Sequence, residues 1–445
     1  MLKPTLATDN SFMREINRLL HALTSVADDN SLVRLVGDYY RYAQFAAGKP
    51  QHNSDGKQPE LMPQLWFLAE KVLRLTEGNN AADCLIRSAK LLGCLQLTAP
   101  DSPRRWCELQ FGYKLLYRAA LSLRLLDHAL EHKLLTDEKL QQLFRQRRFA
   151  DDDCQYRLQV QLPLVVALLL LDVGQLQPEA TALLTGYAGE RDASRSMSQD
   201  EREHYLQLTQ AGMLQLAGDT LQVLPYRGNS KLEKQQLALV QQQQLALIRQ
   251  LLSAQPDNFP LCHVIAVPQV YSSIVLPGRQ RYQYDALPKA SLVLKEAVSR
   301  GQLSGSWVQH FLRITGVFPQ GFGITFIPAQ YAGLPGEKYE LAIVNQLYPP
   351  NAAEPLCRVV SRNLQYRRGG HNCQVSIDNN LYFKPARQRL AVIAPQRLQE
   401  ILAQLSAGWQ PGQIRHYLPR CWQPHSFFSH SQHQNLWNQA RHIAN

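Results

Sequence analysis

The sequence predicts a mainly α-helical protein with a small β module towards its C-terminal end. Three observations carry that prediction. From residue 11 to residue 315 apolar side chains recur at helical spacing, punctuated by Gly, Pro and Asn. At Gly316 the period shortens, and β-branched and aromatic runs alternate with turn residues as far as about residue 393. Hydrophobic residues make up 45% of the chain and charged residues 19%, a globular balance with enough apolar mass for a sizeable core. A chain of 445 residues accommodates about two to four domains.

Residues 11–26 and 31–47 read as amphipathic helices, with Ser11 and either Asn30 or Ser31 as N-caps. A polar Gly/Pro loop fills 48–60, and two further helices follow at 61–76 and 79–95. The breaker "TAPDSPRR" (98–105) reads as a domain boundary. A long helix then runs from Cys107 to His132, and the next one starts with Thr136 as cap and acids in its first turn. After the charged connection 145–153 comes the apolar helix "QVQLPLVVALLLLDVGQL", and then a short helix from Pro178. Helices are expected at 198–217, 231–254, 261–275, 287–300 and 304–315; the Gln-rich stretch 231–252 keeps Leu and Val at helical spacing. Strands are expected in "GFGITFIPAQ", "KYELAIVNQLY", "LCRVVSRN", "CQVSID" and "NLYFKP", with helix resuming near Pro395–Leu405. The organisation read from this is an N-terminal helical region (1–100), a helical domain (101–318), a small basic β module (319–394) and a helical, aromatic, basic tail (395–445).

The formal charge of +11 is unevenly spread. From Asn351 to Asn445 eleven Lys and Arg face three acids, a local balance of +8 that attracts nucleotides, nucleic acid or acidic partners. The eight cysteines are scattered, with no C-x-x-C or other zinc spacing, and read as reduced thiols of a cytoplasmic protein. The first residues lack the apolar core of a secretory signal. The longest apolar run, Leu162–Leu171, is about half the ~20 residues that span a bilayer, so no transmembrane segment is expected.

"ALLLLDVGQL" (167–176) is an apolar run that ends on a carboxylate, Asp172. It is similar to the "ALLHDIGK" helix of HD-domain phosphohydrolases, the HD-GYP group in particular. "VIAVPQVYSSIV" (264–275) resembles that group's "ILAVADVYDAL" helix. Residues 285–326 look like its closing helices and the "G-V-Y-P-x-G" exit into a short β extension. The resemblance covers about 155–330. It implies an HD-domain-like helical bundle, and in the intact family two or three iron or manganese ions that hydrolyse cyclic di-GMP. Clustered cations there lower the pKa of a bridging water and neutralise charge on the phosphate.

Position by position, the resemblance leaves little of that ligand set. The histidine of the HD pair is Leu171, the aspartate is retained as Asp172, Gly174 is retained, and the family lysine is Gln175. The "H-P-x-x-G" histidine falls on Leu208, with Gly212 at the glycine, and the paired histidines fall near Tyr226 and Arg227. The late aspartates become Gln269 and Ser272, and the GYP signature is missing. Leu, Gln and Tyr do not replace imidazole and carboxylate as ligands. No catalytic residue and no cofactor is therefore expected. Asp172 reads as a vestigial ligand that now serves as a helix-end hydrogen-bond acceptor.

Other residues were weighed for chemistry. His128 and His132 lie at i and i+4, either as a solvated helix face beside Asp127 and Glu131 or, with Asp172, as a rebuilt one-metal site. The tail holds His416, His425, His430, His433 and His442, together with Trp409, Trp422, Phe427, Phe428 and Trp437, aromatics that suggest packing onto the body or onto a partner. "YRRGGHN" (366–372) is either a hairpin turn with solvated arginines or an anion-binding turn. As the latter, Arg367 and Arg368 would be joined by Arg358, Arg362, Lys384, Arg387 and Arg389. No Walker A loop, G-x-G-x-x-G fingerprint or G-x-S-x-G elbow is present.

The expected function is a non-catalytic signalling or regulatory protein on a degenerate HD-GYP scaffold, with a nucleotide or a protein as partner. One alternative is a divergent iron- or manganese-dependent phosphodiesterase acting on cyclic di-GMP. The other is a nucleic-acid or acidic-partner binder working through the basic C-terminal third.

Overall fold

Nine consecutive residues, Leu162–Leu170, form a helix with no exposed side chain, and the rest of the helical body is arranged around it. The computed structural model describes residues 11–47, 60–226, 228–254, 256–278, 280, 282–328, 339–391 and 419–438. The protein is mainly helical, with a small antiparallel sheet in its C-terminal region.

The first four helices are α1 (Ser11–Thr24), α2 (Leu32–Ala47), α3 (Leu61–Thr76) and α4 (Ala81–Thr98). Of the two caps considered for α2, Ser31 serves: its hydroxyl accepts from the Arg34 amide at 3.2 Å. Asn80 caps α4 by accepting from the Asp83 amide at 2.9 Å. The expected long helix is a π-helical segment, Glu108–Lys114, running into α5 (Leu115–Glu131). The next helix, α6 (Glu138–Arg145), is capped by Asp137 and not by Thr136; the Asp137 carboxylate accepts from the Leu140 amide at 2.9 Å. A carboxylate one residue nearer the helix complements its positive N-terminal end better than a hydroxyl does.

A second π-helical segment, Arg157–Gln161, runs directly into α7 (Leu162–Leu170); Pro163 lies just past the junction and has no N–H for the preceding turn, where the Leu158 carbonyl accepts from Gln244 Nε2 at 2.7 Å. Helices α3, α5 and α10 (Lys231–Ser253) pack directly on α7. Among the described residues, Arg157–Leu176 is the one stretch long and apolar enough to cross a membrane by length and composition, and 78% of its apolar window is buried by these neighbours. A tight 3-10 turn, Val173–Leu176, follows, then α8 (Pro178–Thr185) and α9 (Gln199–Thr220). Ser198 and Glu201 close a reciprocal capping box at the start of α9. Helices α11 (His263–Val275), α12 (Ala290–Ser299) and α13 (Gly305–Thr315) complete the body.

The sheet begins at β1 (Gly323–Phe326) and continues through β2 (Glu340–Val344), β3 (Leu356–Val359), β6 (Asn372–Gln374) and β7 (Cys421–Trp422). Its order is β6-β3-β2-β1-β7, antiparallel throughout, and β4 (Ser361–Arg362) and β5 (Gln365–Tyr366) make a separate hairpin. Of the expected strands, "NLYFKP" is not one. Only Asn380 makes an isolated bridge to Phe326, and helix resumes at once as α14 (Lys384–Ala391). The helix expected at 395–405 lies outside the described residues. A short helix, His425–Phe428, returns the chain to the body and buries Phe427 and Phe428. The hydrophobic core is continuous from Met13 to Trp437, through the helices and onto the sheet. All eight cysteines are unpaired.

Candidate functional site

Asp172 sits where α7 gives way to the 3-10 turn, and it is 7% exposed. Its side chain accepts hydrogen bonds at the helix end, though from side chains and not from a backbone N–H as a cap would. Its Oδ2 is paired with the guanidinium of Arg118, projected from the first turn of α5 and equally enclosed. Its Oδ1 accepts from Gln175 Nε2 at 3.1 Å, and Gln175 Oε1 in turn accepts from the Tyr205 hydroxyl at 3.0 Å. The result is a closed relay, Arg118–Asp172–Gln175–Tyr205, in which a fixed cation occupies the carboxylate. Burial, and then the nearby Asp172 charge, hold the Tyr205 phenol above its ordinary range, so it is a proton donor at any physiological pH.

The other positions carried over from the HD-GYP resemblance are spread around this relay without completing a ligand set. Leu171 is half-buried and apolar. Gln269 on α11 is exposed, and its carbonyl accepts from the buried Ser272 hydroxyl at 3.1 Å. Leu208 is half-buried on α9, Tyr226 bonds to Glu233, and Arg227 lies outside the described residues. Gly174 and Gly212 have packing reasons to be glycine. A Cβ on Gly174 would overlap the Thr209 carbonyl oxygen of α9, and one on Gly212 would press on the Tyr40 hydroxyl at 3.1 Å and on Gln177. Among the described residues, no group of three His, Cys, Asp or Glu is placed to hold a metal ion. The donors at Asp172 do not fit a binuclear iron or manganese centre: they amount to one carboxylate already neutralised by arginine.

Of the face read as solvated, His132 and Glu131 are exposed but His128 is not, and the pair does not meet Asp172. His128 is 2% exposed. It lies ten residues along α5 from Arg118, about 15 Å at the helical rise. Its Nδ1 is 3.0 Å from the Tyr348 hydroxyl, its Nε2 is 2.8 Å from His310 Nδ1, and the His132 ring stacks on it at 3.9 Å. Burial above all, then His132, His310 and Arg313, push the His128 imidazole down to about 4. These contacts tie α5 to α13 and to the chain entering the sheet.

Of the arginines expected to join an anion-binding turn, Arg358 and Arg387 are committed to internal hydrogen bonds. Arg358 is 4% exposed and internal: Nε donates to Asn372 Oδ1 at 2.7 Å, and its terminal nitrogens donate to the carbonyls of Gly370 at 3.2 Å and Asn438 at 2.6 Å. Arg387 is committed to the carbonyls of Leu381 at 2.7 Å and Tyr382 at 2.5 Å. Arg362, Arg367 and Arg368 are exposed, and Arg368 bonds to Gln432. "YRRGGHN" is a turn between β5 and β6, with Gly369 at φ 70° and Gly370 pressed against the Val359 carbonyl. In the tail, Phe428 is fully buried and Trp437 is 8% exposed, so the aromatics pack onto the body. His433 stacks on Phe427 at 4.1 Å and His430 is exposed. His416, His442 and Trp409 lie outside the described residues.

The sequence reading missed a buried ion network at the far end of α3. Glu77 receives both Arg124 and Arg147, and Asp127 receives the same two arginines at 3.2 and 3.0 Å and the Tyr156 hydroxyl at 2.9 Å. Burial alone would raise the Glu77 carboxyl; the two guanidinium groups outweigh it and hold the group below its ordinary value. The only sequence signal was the density of arginines in "RQRRF" (145–149), which read as a solvated connection. No protein-family model, no curated protein and no solved structure matches this chain.

Proposed function

We propose that this protein is a non-catalytic signalling or regulatory protein, built on an HD-GYP-like helical bundle whose metal centre has been replaced by an internal ion pair. The observation that carries the reading is Arg118 on Asp172. A guanidinium buried against the retained carboxylate supplies permanently the positive charge that a metal ion would bring, and a second cation there would meet like charge in a poorly screened setting. Leu171 and Gln269, at the positions where the resemblance calls for histidine and aspartate, support the same reading. What such a protein does it does by binding, so its output is an altered affinity or conformation and not a turned-over substrate.

Elemental analysis of the purified untagged protein, alongside a cyclic di-GMP hydrolysis assay, tests this. The expected result is iron and manganese far below one equivalent, no hydrolysis above buffer, and an Asp172→Ala variant altered in stability alone. A metal at one equivalent or more that is lost in Asp172→Ala would overturn the proposal and put the phosphodiesterase first.

A further inference from the structure

The groove between α1, α3 and α4 is basic, and its cations come from outside the third of the chain where the excess charge is concentrated. It holds about 920 Å³, with Arg18, Lys71, Arg74, Arg87 and Lys90 set against only two carboxylates, Glu15 and Asp83. At the end of α3 it adjoins a narrower recess of about 190 Å³, whose lining shares Arg74 and Arg87 and adds Arg147, Arg148 and Arg157, each of these three paired there with a carboxylate, Glu77, Asp151 and Asp152 in turn. Asp172 lines neither space.

Three of these cations, Lys71, Arg74 and Lys90, have no carboxylate partner among the described residues. Burial first, and then Arg87, hold the Lys90 ammonium below its ordinary value. Deeper in, Arg157 is 8% exposed and its Nε has no hydrogen-bond partner. The recess is neutralised internally by the Glu77–Arg124–Arg147 network, which leaves the unpaired cations of the outer groove, Lys71, Arg74 and Lys90, as its excess positive charge. The outer groove is walled differently. Lys71 lies over the Phe67 ring at 5.1 Å and Lys90 over the Phe12 ring at 4.6 Å, while Phe67 and Ile86 are 50% and 51% exposed. Trp437 stands against the same groove.

We propose that this groove binds a nucleoside polyphosphate, with the phosphates at Arg74, Arg87 and Lys90 of the outer groove and the base against Phe67. Converging guanidinium groups match phosphate oxygens in fork geometry. An exposed ring beside them offers a stacking face. A volume of this size suits a small ligand. The site is separate from the Asp172 relay, so it stands or falls independently of the loss of the metal centre.

The test is calorimetric titration of the full chain at low salt with ATP, GTP, adenosine and tripolyphosphate. A nucleoside triphosphate should bind, adenosine should not, and tripolyphosphate should be about tenfold weaker because it lacks the stacked base. The Arg74→Gln/Arg87→Gln double variant should weaken binding by about tenfold or more through lost charge-assisted hydrogen bonds. Arg362→Gln/Arg368→Gln, at a distant basic surface, should leave the affinity unchanged. If the first pair fails to fold by circular dichroism, Lys71→Gln reads the same groove from a half-buried position. Equal binding by the groove variant, tripolyphosphate binding as tightly as any nucleotide, or a single-stranded oligonucleotide that the triphosphates cannot displace would each overturn the proposal.

Discussion

At the scale of single residues, the contact between Arg118 and Asp172 decides how the apolar run 162–171 can end on a carboxylate. Arg118 leaves its Nε and Nη1 without partners, so it depends on Asp172 for its compensation. Arg118→Met should therefore cost about 3 kcal/mol in a denaturant titration, since it strands a buried carboxylate. The double variant Arg118→Met/Asp172→Leu should recover most of that loss, because two apolar side chains replace the pair together. A double variant as unstable as the single one would show that the pair is not a self-contained unit. His128 supports a second prediction, with a definite sign. Its folded value of about 4 lies below the ordinary 6.5, so the neutral ring is the form the fold prefers. Its contribution is fully present above about pH 6.5 and is lost as pH falls towards 4, by an amount of order 2 kcal/mol. The charged and titratable groups facing it are His132, His310 and Arg313, with the Tyr348 hydroxyl. Stability measured from pH 7 to pH 4 should fall less steeply in His128→Gln than in the parent; matching slopes would assign the acid sensitivity to other groups.

At the scale of elements, the turn Val173–Leu176 is held backbone to backbone against α9. Gly174 makes that approach possible, and its need is steric: it is not among the residues with positive φ. Gly174→Ala should force the turn off α9 and cost roughly 2 kcal/mol or more, as overpacking at a backbone contact does. Because the same turn carries Asp172 and Gln175, the variant should also perturb Tyr205, giving a near-ultraviolet signal separable from helix content. A smaller effect belongs to the start of α9: Ser198→Ala removes one half of the capping box and should cost about 1 kcal/mol by thermal melting. Helices like this one were legible in the sequence because apolar periodicity and cap residues agree locally. The cap of α6 was read as Thr136, whereas Asp137, taken as a first-turn acid, serves. "NLYFKP" has strand-like composition, but Lys384 and Pro385 open a helix, and composition alone does not weigh a proline at a helix start against aromatic β preference.

On the scale of the whole molecule, what the sequence concealed was partnership across distance. Asp172 stood out as a carboxylate closing an apolar run, whereas Arg118, 54 residues away on another helix, read as one more polar residue in a helical pattern. The histidines at 128 and 132 were visible as a pair; His310 and Tyr348, which give the pair its environment, come from remote parts of the chain. The basic tail drew attention by net charge, yet Arg358 and Arg387 are spent on backbone carbonyls, and the basic groove lies in the region 1–100, where eleven Lys and Arg face ten acids. The same long-range closure bears on how the protein unfolds. Trp437 fits against Gly93 of α4, where a Cβ would overlap the indole, while Asn345 donates to the Leu436 carbonyl at 2.8 Å and Arg358 to that of Asn438. The segment 419–438 thus bonds to the sheet and packs on the helices at once, within one continuous core. Elements joined in this way should melt together, so calorimetry should show one cooperative transition and not separate helical and sheet transitions. Arg358→Leu leaves the carbonyls of Gly370 and Asn438 without this donor, and should lower that single transition by about 2–3 kcal/mol of stability without splitting it. A variant in which the sheet melts first while helical circular dichroism persists would show that the helices stand without their C-terminal clasp, and that the continuous core is two cooperative units in contact.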